Sequence, residues 1–396
     1  MSQRQRPALL RSRAVRPAAF LALTAALGAC AKRDPDARPL ASASAAPLAA
    51  SSRSGPPGAS SLDTPTAFEL TPSRDGATLL FAPAEANQGA LKKLDFDANG
   101  AVRGTATALF GPDKLGGDVS DLTAVWVKTE LALAWVERHG PKARVRAAWA
   151  NGGGRVFELG AAWVAPQNAR GNVAIAAREA TALVFARGDQ AACIEPGRQG
   201  CFGFAFHELE GDQARATGLP LSVPVPCTDA SATLAVVGSR WHYGVCTDNG
   251  SRPVTTLFSI QRDPEYARAD RLFEGCTPVD TLVWDGAAWL VADCEGARRA
   301  VRIGAGDEAP VYLDLRTPRF DCQHGTAGIR TSGFALALDE PRGKLTALLP
   351  REIAGPKARA VWTGRALVVA DTSGTELRIR RHACAGDRLE TSEVRF

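Results

Sequence analysis

The sequence lacks the local motifs that build the commonest catalytic sites. It contains no H-E-x-x-H zinc helix, no G-x-S-x-G nucleophile elbow, no G-x-x-x-x-G-K phosphate loop and no G-x-G-x-x-G dinucleotide fingerprint. The histidines are scattered with no pair at metal-ligand spacing: His139, His207, His242, His324 and His382. We therefore predict no cofactor, and a catalytic site would have to be assembled from distant residues.

Net positive charge is also missing from most of the chain. The sequence has 47 Lys+Arg and 42 Asp+Glu, but residues 1–29 contain five arginines and no acid, which leaves 42 of each sign in the remainder. The basic pI of about 8.8 therefore reflects the N-terminus. Because nucleic-acid binding domains depend on clustered basic charge, a nucleic-acid partner is not predicted.

The N-terminus itself has the layout of a secretory signal peptide. A segment with five arginines precedes an apolar run, Ala18 to Leu27, that is about half of the roughly 20 residues a spanning helix needs. The next residues complete Leu27-Gly28-Ala29-Cys30, which resembles the lipobox of bacterial lipoproteins. That resemblance implies cleavage before Cys30 and diacylation of its thiol. An ordinary signal peptide that happens to contain a cysteine is the alternative.

Residues 30–65 have the composition of a disordered linker. They are mostly Ala, Ser, Pro and Gly, and too few of them are large and apolar to form a core. With residues 1–29 as the signal peptide, the folded domain is predicted to span 66–396. The lipoprotein resemblance implies a cell-envelope protein attached to the membrane through lipid, and Ala31 after the cysteine favours the outer membrane. Either periplasmic or surface orientation is compatible with the sequence.

The cysteines after Cys30 number eight, and none forms the tight C-x-x-C pair typical of metal or thiol chemistry. An even set in an exported chain predicts four disulfides. A hairpin centred on Asp285-Gly286 places Cys276 opposite Cys294, and the same pattern recurs one repeat earlier. The predicted pairs, the last by elimination, are Cys276–Cys294, Cys227–Cys246, Cys193–Cys201 and Cys322–Cys384.

A repeated pattern organises residues 66–396. Seven stretches consist of a small or polar turn followed by an apolar strand, at intervals of about 50 residues, and no segment has convincing helical periodicity. They begin at Asp75, Lys128, Glu179, Ser239, Asp285, Thr331 and Thr363. One hairpin per repeat predicts an all-β fold, a β-propeller, with seven blades preferred and six possible.

The first copy, "LTPSRDGATLLF" from Leu70, resembles the blade repeat of the Tol-system periplasmic propellers. The match covers about twelve residues once, so the resemblance implies the architecture and not the partner protein. We also expect ring closure. The terminal strand, residues 388–396, is predicted to pair into the blade around Phe68 to Phe81, because closure removes exposed edges.

Two sets of residues are candidate sites. Trp241, His242 and Tyr243 lie at a turn end, where stacking on a sugar is possible, although core packing is the simpler role for tryptophans that recur at the repeat spacing. Asp95, Asp97 and Asn99 match the first half of a calcium loop. The twelfth position is Ala106 instead of Glu, so a hairpin turn at Asn99-Gly100 is the competing interpretation, and no metal is predicted.

These observations leave two hypotheses of function. The first is a lipid-anchored, non-catalytic binding or scaffold propeller for an envelope protein or a polysaccharide. The second is a propeller-type enzyme, a glycoside hydrolase or a lyase, with carboxylates from several blades. Paired acids in the channel would favour the hydrolase, since glycoside hydrolysis uses two carboxylates. The fold alone decides nothing.

Overall fold

Seven antiparallel β-sheets form in the part of the chain that the structure, a computed structural model, describes. The sheets are the blades of a β-propeller, as predicted. All described residues belong to the compact unit Pro56–Phe396. They are residues 62–63, 65–83, 90–111, 113–139, 142–150, 154–161, 173–188, 202–217, 221–223, 233–248, 252–261, 266–284, 286–295, 297–303, 311–332, 334–338, 344–355, 358–373 and 376–394.

The strands follow the chain order blade by blade. Blade 1 comprises β2 Pro65–Ser73, β3 Gly76–Pro83, β4 Leu91–Asp97 and β5 Val102–Phe110. Blade 2 comprises β6 Asp118–Val127, β7 Glu130–His139, β8 Lys142–Trp149 and β9 Val156–Ala161. Blade 3 comprises β10 Val173–Arg178, β11 Thr181–Gly188, β12 Phe202–Glu210, β13 Gln213–Ala216 and β14 Leu221–Val223. Blade 4 comprises β15 Thr233–Val237, β16 Arg240–Asp248, β17 Pro253–Gln261 and β18 Tyr266–Glu274.

The remaining blades are less uniform. Blade 5 comprises β19 Cys276–Trp284, β20 Ala287–Cys294, β21 Ala297–Ile303 and β22 Val311–Asp314. Blade 6 comprises β23 Arg319–Gln323, β24 Thr326–Thr331 and β25 Phe334–Ala337, and a single 3-10 turn, Thr346–Leu348, follows it. Blade 7 comprises β26 Arg359–Trp362, β27 Ala366–Ser373, β28 Glu376–Ala385 and β29 Arg388–Glu393, together with β1 Leu62–Asp63.

The second strand of a blade is the most apolar because both of its faces are covered by neighbouring blades. β3, β7 and β20 are buried over most of their length. These are the apolar strands of the sequence repeat, and in blades 1 to 5 and 7 the repeat coincides with the second strand. Separate apolar clusters fill the spaces between adjacent blades. The predicted core role of the tryptophans is confirmed at Trp135, Trp241, Trp289 and Trp362, which are buried.

Blade 6 departs from the repeat in the order of its strands. Its first strand lies at the rim of the propeller, and the chain reaches the channel only after the last one. β23 lies beside the outer strands of blade 7, where the backbone N–H of His324 donates to Asp387 Oδ1 at 2.8 Å. Phe334 on β25 contacts Trp284 and Trp289, which lie on the two inner strands of blade 5. The chain then reaches the channel at Lys344, which forms a β-bridge with Val361 of β26. The sixth copy of the sequence repeat therefore falls on β24 and β25 and not on an inner hairpin.

The ring closes through β1, which precedes blade 1 in the chain, so the predicted pairing of residues 388–396 with blade 1 is wrong. β29 forms a hairpin with β28 of its own blade, and β1 pairs with the other end of β28, with Leu62 opposite Leu377. The turn between β28 and β29 is short enough for the chain to fold back at once. β1 and the first residue of β2 precede residue 66, so the end of the predicted linker contributes backbone pairing to the propeller.

Two of the predicted disulfides are present. Cys276 lies opposite Cys294 in the β19–β20 register, and the two are bonded. Cys322 of β23 is bonded to Cys384 of β28, which joins blade 6 to blade 7. Cys246 is also disulfide-bonded, but Cys193, Cys201 and Cys227 lie outside the described residues. Cys30 and the predicted signal peptide lie outside them too. Within the described residues no helix is long and apolar enough to span a membrane.

Closure by β1 predicts a difference between two N-terminal truncations. A chain that begins at residue 65 lacks β1, whereas a chain that begins at residue 56 keeps it. We expect the shorter chain to melt about 2–4 °C lower, because the edge of β28 loses backbone hydrogen bonds. Calorimetry of the two chains measures the difference. Coincident melting curves would contradict closure through β1.

Candidate functional site: the central channel

The central channel of the propeller holds a cavity of about 450 Å³. Its walls are the first strands of blades 1 to 5 and 7, together with residues 344–347 where blade 6 meets the channel. A cavity of this size is within the range of small-molecule sites. The lining is mostly Ala, Val, Leu, Ile and Thr, with charged side chains from only some of the blades.

Strand register places one residue of each first strand at the same level of the channel. In blades 1 to 5 and 7 this is the residue opposite the fifth residue of the second strand. Lys344 takes the place of blade 6, held to β26 by the hydrogen bond from Leu345 N–H to Ala360 O at 2.9 Å. We call this set the channel ring: Glu69, Thr123, Ala174, Thr233, Asp280, Lys344 and Arg359.

Glu69 is the central carboxylate of the channel ring. It is only 1% exposed. Its Oε1 lies 2.9 Å from Lys344 Nζ, and its Oε2 lies 3.2 Å from Arg359 Nε. Lys344 Nζ also lies 3.4 Å from Thr123 Oγ1. Because a buried charge is stable only when it is paired, these contacts fix blade 1 against blade 7 and against Lys344.

Lys344 and Arg359 have more N–H groups than the described residues accept. Lys344 and Arg359 are 23% and 25% exposed, and both line the cavity. Arg359 donates through Nε to Glu69 and through Nη1 to Ala358 O at 3.1 Å. A guanidinium has five N–H groups, so the remaining ones have no acceptor among the described residues.

Asp280 is the second acid of the channel ring, and a β-bulge sets its direction. The register of β19 against β20 shifts between Pro278 and Asp280, and bulges of this kind re-aim a side chain. Asp280 Oδ1 accepts the backbone N–H of Thr281 at 2.8 Å. Asp280 is half-buried and lines the cavity.

The pKa of Asp280 is raised to about 6. Desolvation by burial is the main cause, and the negative charge of Glu69 acts in the same direction. Lys344, Arg359 and the Thr281 N–H oppose the rise but do not cancel it. Near neutral pH this carboxyl group therefore exchanges a proton more readily than an exposed aspartate does.

A second bulge occurs on the first strand of blade 2. The register of β6 shifts between Ser120 and Thr123, and Asp121 has a positive φ of 52°. Asp121 also lines the cavity. Bulges and left-handed residues other than glycine are frequent beside functional sites. The bulges on β6 and β19 thus each bring an aspartate to the channel.

The sequence-predicted ligand residues lie elsewhere. Trp241, His242 and Tyr243 belong to β16 and are all buried, so they are not positioned to stack on a sugar at the surface. Trp241 and Tyr243 pack against Phe206 between blades 3 and 4. Burial, with a smaller effect of Arg240, lowers the pKa of His242 to about 4, and its Nδ1 lies 2.9 Å from Ser259 Oγ.

The calcium-like segment forms a hairpin turn between β4 and β5. Asp97 Oδ1 accepts the backbone N–H groups of Asn99 and Ala101 at 2.8 and 2.9 Å. Although desolvation raises its pKa, these hydrogen bonds and Arg103 lower it below the usual value. Asp95 accepts a hydrogen bond from the hydroxyl of Thr78 and forms an ion pair with Lys93. Within the described residues no group of His, Cys, Asp or Glu is arranged to hold a metal ion.

The same turn docks blade 1 onto blade 7. Ala98 O accepts the N–H of Arg365 at 3.1 Å and the hydroxyl of Thr363 at 2.8 Å. Gly100 has a φ of +73°, and a Cβ there would lie 3.1 Å from Val368 Cγ2. Glycine therefore suits the positive φ at this position, and a Cβ would crowd Val368 of blade 7.

The channel ring was missed at the sequence level, although a signal existed. Glu69, Asp280 and Arg359 are charged residues within otherwise apolar first strands, "AFELT", "PVDTL" and "ARAVW". A charge at such a position is costly unless it is paired or faces a cavity. Recognising the channel ring requires the register of every first strand. The irregular sequence of blade 6 hides that register at Lys344.

No protein-family model and no curated protein matches this sequence. Among solved structures, the chain is similar to Trypanosoma rangeli sialidase, with 14% identity and a TM-score of 0.35, covering 76% of this chain and 57% of the sialidase. It is similar to a prolyl endopeptidase, with 13% identity and a TM-score of 0.45, covering 84% and 50%. It is also similar to prolyl oligopeptidase B from Galerina marginata, with 11% identity and a TM-score of 0.45, covering 85% of this chain and 52% of that protein. The chain thus spans 50 to 57% of these proteins, and similarities this low carry no argument about activity.

Asp280 predicts a distinctive pH dependence of stability. An acid whose folded pKa is raised stabilises the folded state most at low pH, and that contribution is lost as the pH rises through about 6. Asp280→Asn removes the titration. We expect the variant and the wild type to differ little near pH 4, and the variant to be more stable by on the order of 2 kcal/mol at pH 8.

Urea unfolding at both pH values measures this difference. Asp118→Asn, at an exposed position of β6, is the matched control and should show no such trend. A wild type that equals or exceeds Asp280→Asn in stability at pH 8 would contradict the assignment.

Proposed function

We propose that the protein is a lipid-anchored β-propeller of the cell envelope that acts as a non-catalytic binding or scaffold protein, with the central channel as its recognition site. The partner is an envelope protein or a polysaccharide. The lipobox-like Cys30 and the linker that follows it support the anchor. The sequence rule at Ala31 favours the outer membrane, with the propeller facing the periplasm or the cell surface. The balanced charge after residue 29 gives no support to nucleic-acid binding.

The observation that carries the binding role is the pairing of Glu69 with two cations. Both of its carboxylate oxygens are engaged by cations from other parts of the ring. Because both oxygens of this buried carboxylate are held in ion pairs within the protein, neither is free to contact a ligand. Lys344 and Arg359, by contrast, keep donors directed at the cavity. The arrangement is suited to holding a ligand.

The enzyme alternative has one observation in its favour. Asp280 has a pKa raised to about 6, which suits a general acid, and Asp121 supplies another carboxyl group to the same cavity. A glycoside hydrolase needs two carboxyl groups about 5 to 10 Å apart. Release of reducing sugars from envelope polysaccharides that is abolished in Asp280→Asn would establish this function and exclude a purely binding role.

The anchor and the recognition site are tested in one experiment on the full chain. Wild type, Cys30→Ser, Arg359→Gln and the matched control Arg144→Gln, which replaces an exposed arginine paired with Glu158, are expressed in a host that lipidates proteins. We expect palmitate labelling and membrane fractionation of all but Cys30→Ser.

Affinity capture from detergent-solubilised envelope then compares the lipidated proteins. Wild type and Arg144→Gln should recover the same protein or polysaccharide, and Arg359→Gln should lose at least about tenfold of it, which is about 1.4 kcal/mol of binding. Labelling of Cys30→Ser would overturn the anchor. Equal recovery by Arg359→Gln, shown by calorimetry to be folded, would overturn the channel as the recognition site.

A further inference from the structure

We infer that the channel cavity binds a small organic carboxylate, whose acid group is received by Arg359 and Lys344 when Asp280 is protonated. This inference rests on the proposed binding function and specifies the chemistry of the ligand. It is carried by three features of the cavity, namely its unused donors, its charge balance and its neutral walls.

The unused donors belong to the two cations, Lys344 and Arg359, on one side of the cavity. Glu69 and Ala358 together take two N–H groups of Arg359, and Glu69 and Thr123 lie beside Lys344 Nζ. No other acceptor contacts either cation among the described residues. A planar guanidinium with free N–H groups is the group that best receives a carboxylate through paired hydrogen bonds.

The charge balance depends on Asp280. Lys344 and Arg359 carry two positive charges, and the Glu69 carboxylate, paired with both, compensates one of them. Asp280 supplies the second compensating charge only when it is ionised. Asp121 of β6 also faces the cavity but has interactions of its own. β10 and β15 contribute only neutral side chains to the lining. Protonation of Asp280 therefore removes one of the three negative charges that line the cavity and brings the formal charge of the lining from −1 to zero, which favours the entry of an anion beside the two cations.

The walls suit the body of such a ligand. Small apolar side chains of β10 and β15, such as Ala174 and Ala235, leave the space open. Hydroxyl groups of Thr71, Thr123 and Thr233 lie among them. The lining contains no aromatic side chain among the described residues, so stacking on a neutral sugar is not the recognition mode that this cavity offers. A carboxylate held beside the two cations accounts for the polar groups that are present.

Titration calorimetry on the full chain in detergent tests the inference with glucuronate and benzoate, which share a carboxylate but differ in the rest of the molecule. Glucose is the matched neutral probe. We expect at least one acid to bind, with glucose bound at least tenfold more weakly, and we expect the affinity to rise about tenfold between pH 7.5 and pH 5.5, where both acids remain ionised. Binding of one acid but not the other identifies a sugar acid or an apolar acid as the source of the carboxylate.

Variants separate recognition from folding. Asp280→Asn should bind at pH 7.5 as tightly as the wild type does at pH 5.5, with no pH dependence. Arg359→Gln should weaken binding at least tenfold, whereas Arg380→Gln, in the same blade but paired with Asp371 outside the cavity, should not. An Asp280→Asn variant that binds no tighter at pH 7.5 than the wild type would overturn the inference.

Failure of both acids to bind the folded wild type would overturn it too. That result leaves envelope capture unaffected, so failure of the carboxylate inference is distinguishable from failure of the proposed binding function.

Discussion

The pairing of Glu69 with Arg359 and Lys344 is the contact on which the arrangement of the channel depends. Strands within a blade are joined by ladders of hydrogen bonds, whereas in the described residues blade 1 meets blade 7 through side chains, the docked β4–β5 turn and β1. A carboxylate with 1% exposure is strongly unfavourable without its cations, and the cations would be unfavourable without it. The first blade, the last blade and the irregular segment at Lys344 are therefore held in one geometry, which also defines the shape of the cavity.

The residues that join blade 1 to blade 7 are also those for which we propose a role in recognition, and they make the channel polar over only part of its circumference. At the level of the channel ring, blades 2 to 4 contribute Thr123, Ala174 and Thr233, which are neutral, while the charged members come from blades 1, 5 and 7 and from Lys344. In a purely structural ion pair, each charged group needs only to be neutralised by its partner. Here Asp280 stands beside the pairs with its pKa raised, so the proton content of the cavity responds to pH, which a purely structural network would not require.

The fold was largely predictable from local pattern, and the site was not. The apolar second strands, such as "GATLLFAP" and "AAWLVADC", are visible because burial on both faces demands a continuous apolar run. The register of the β19–β20 hairpin correctly paired Cys276 with Cys294. Blade 6 and the closure by β1 were not predictable, because both depend on which distant edges remain free. The channel ring depends on the register of several strands at once. The burial of Trp241 and Tyr243 agrees with core packing and not with sugar stacking, a choice that their turn-end position in sequence left open.

A double-mutant cycle between Glu69 and Arg359 tests the central claim most directly. Unfolding free energies of the wild type, Glu69→Gln, Arg359→Gln and the double variant give the coupling between the two side chains. A buried pair that joins blade 1 to blade 7 predicts a coupling of about 2 kcal/mol, while the exposed pair Arg144 and Glu158 should give less than about 0.5 kcal/mol. A Glu69–Arg359 coupling as small as that of the exposed pair would contradict the account.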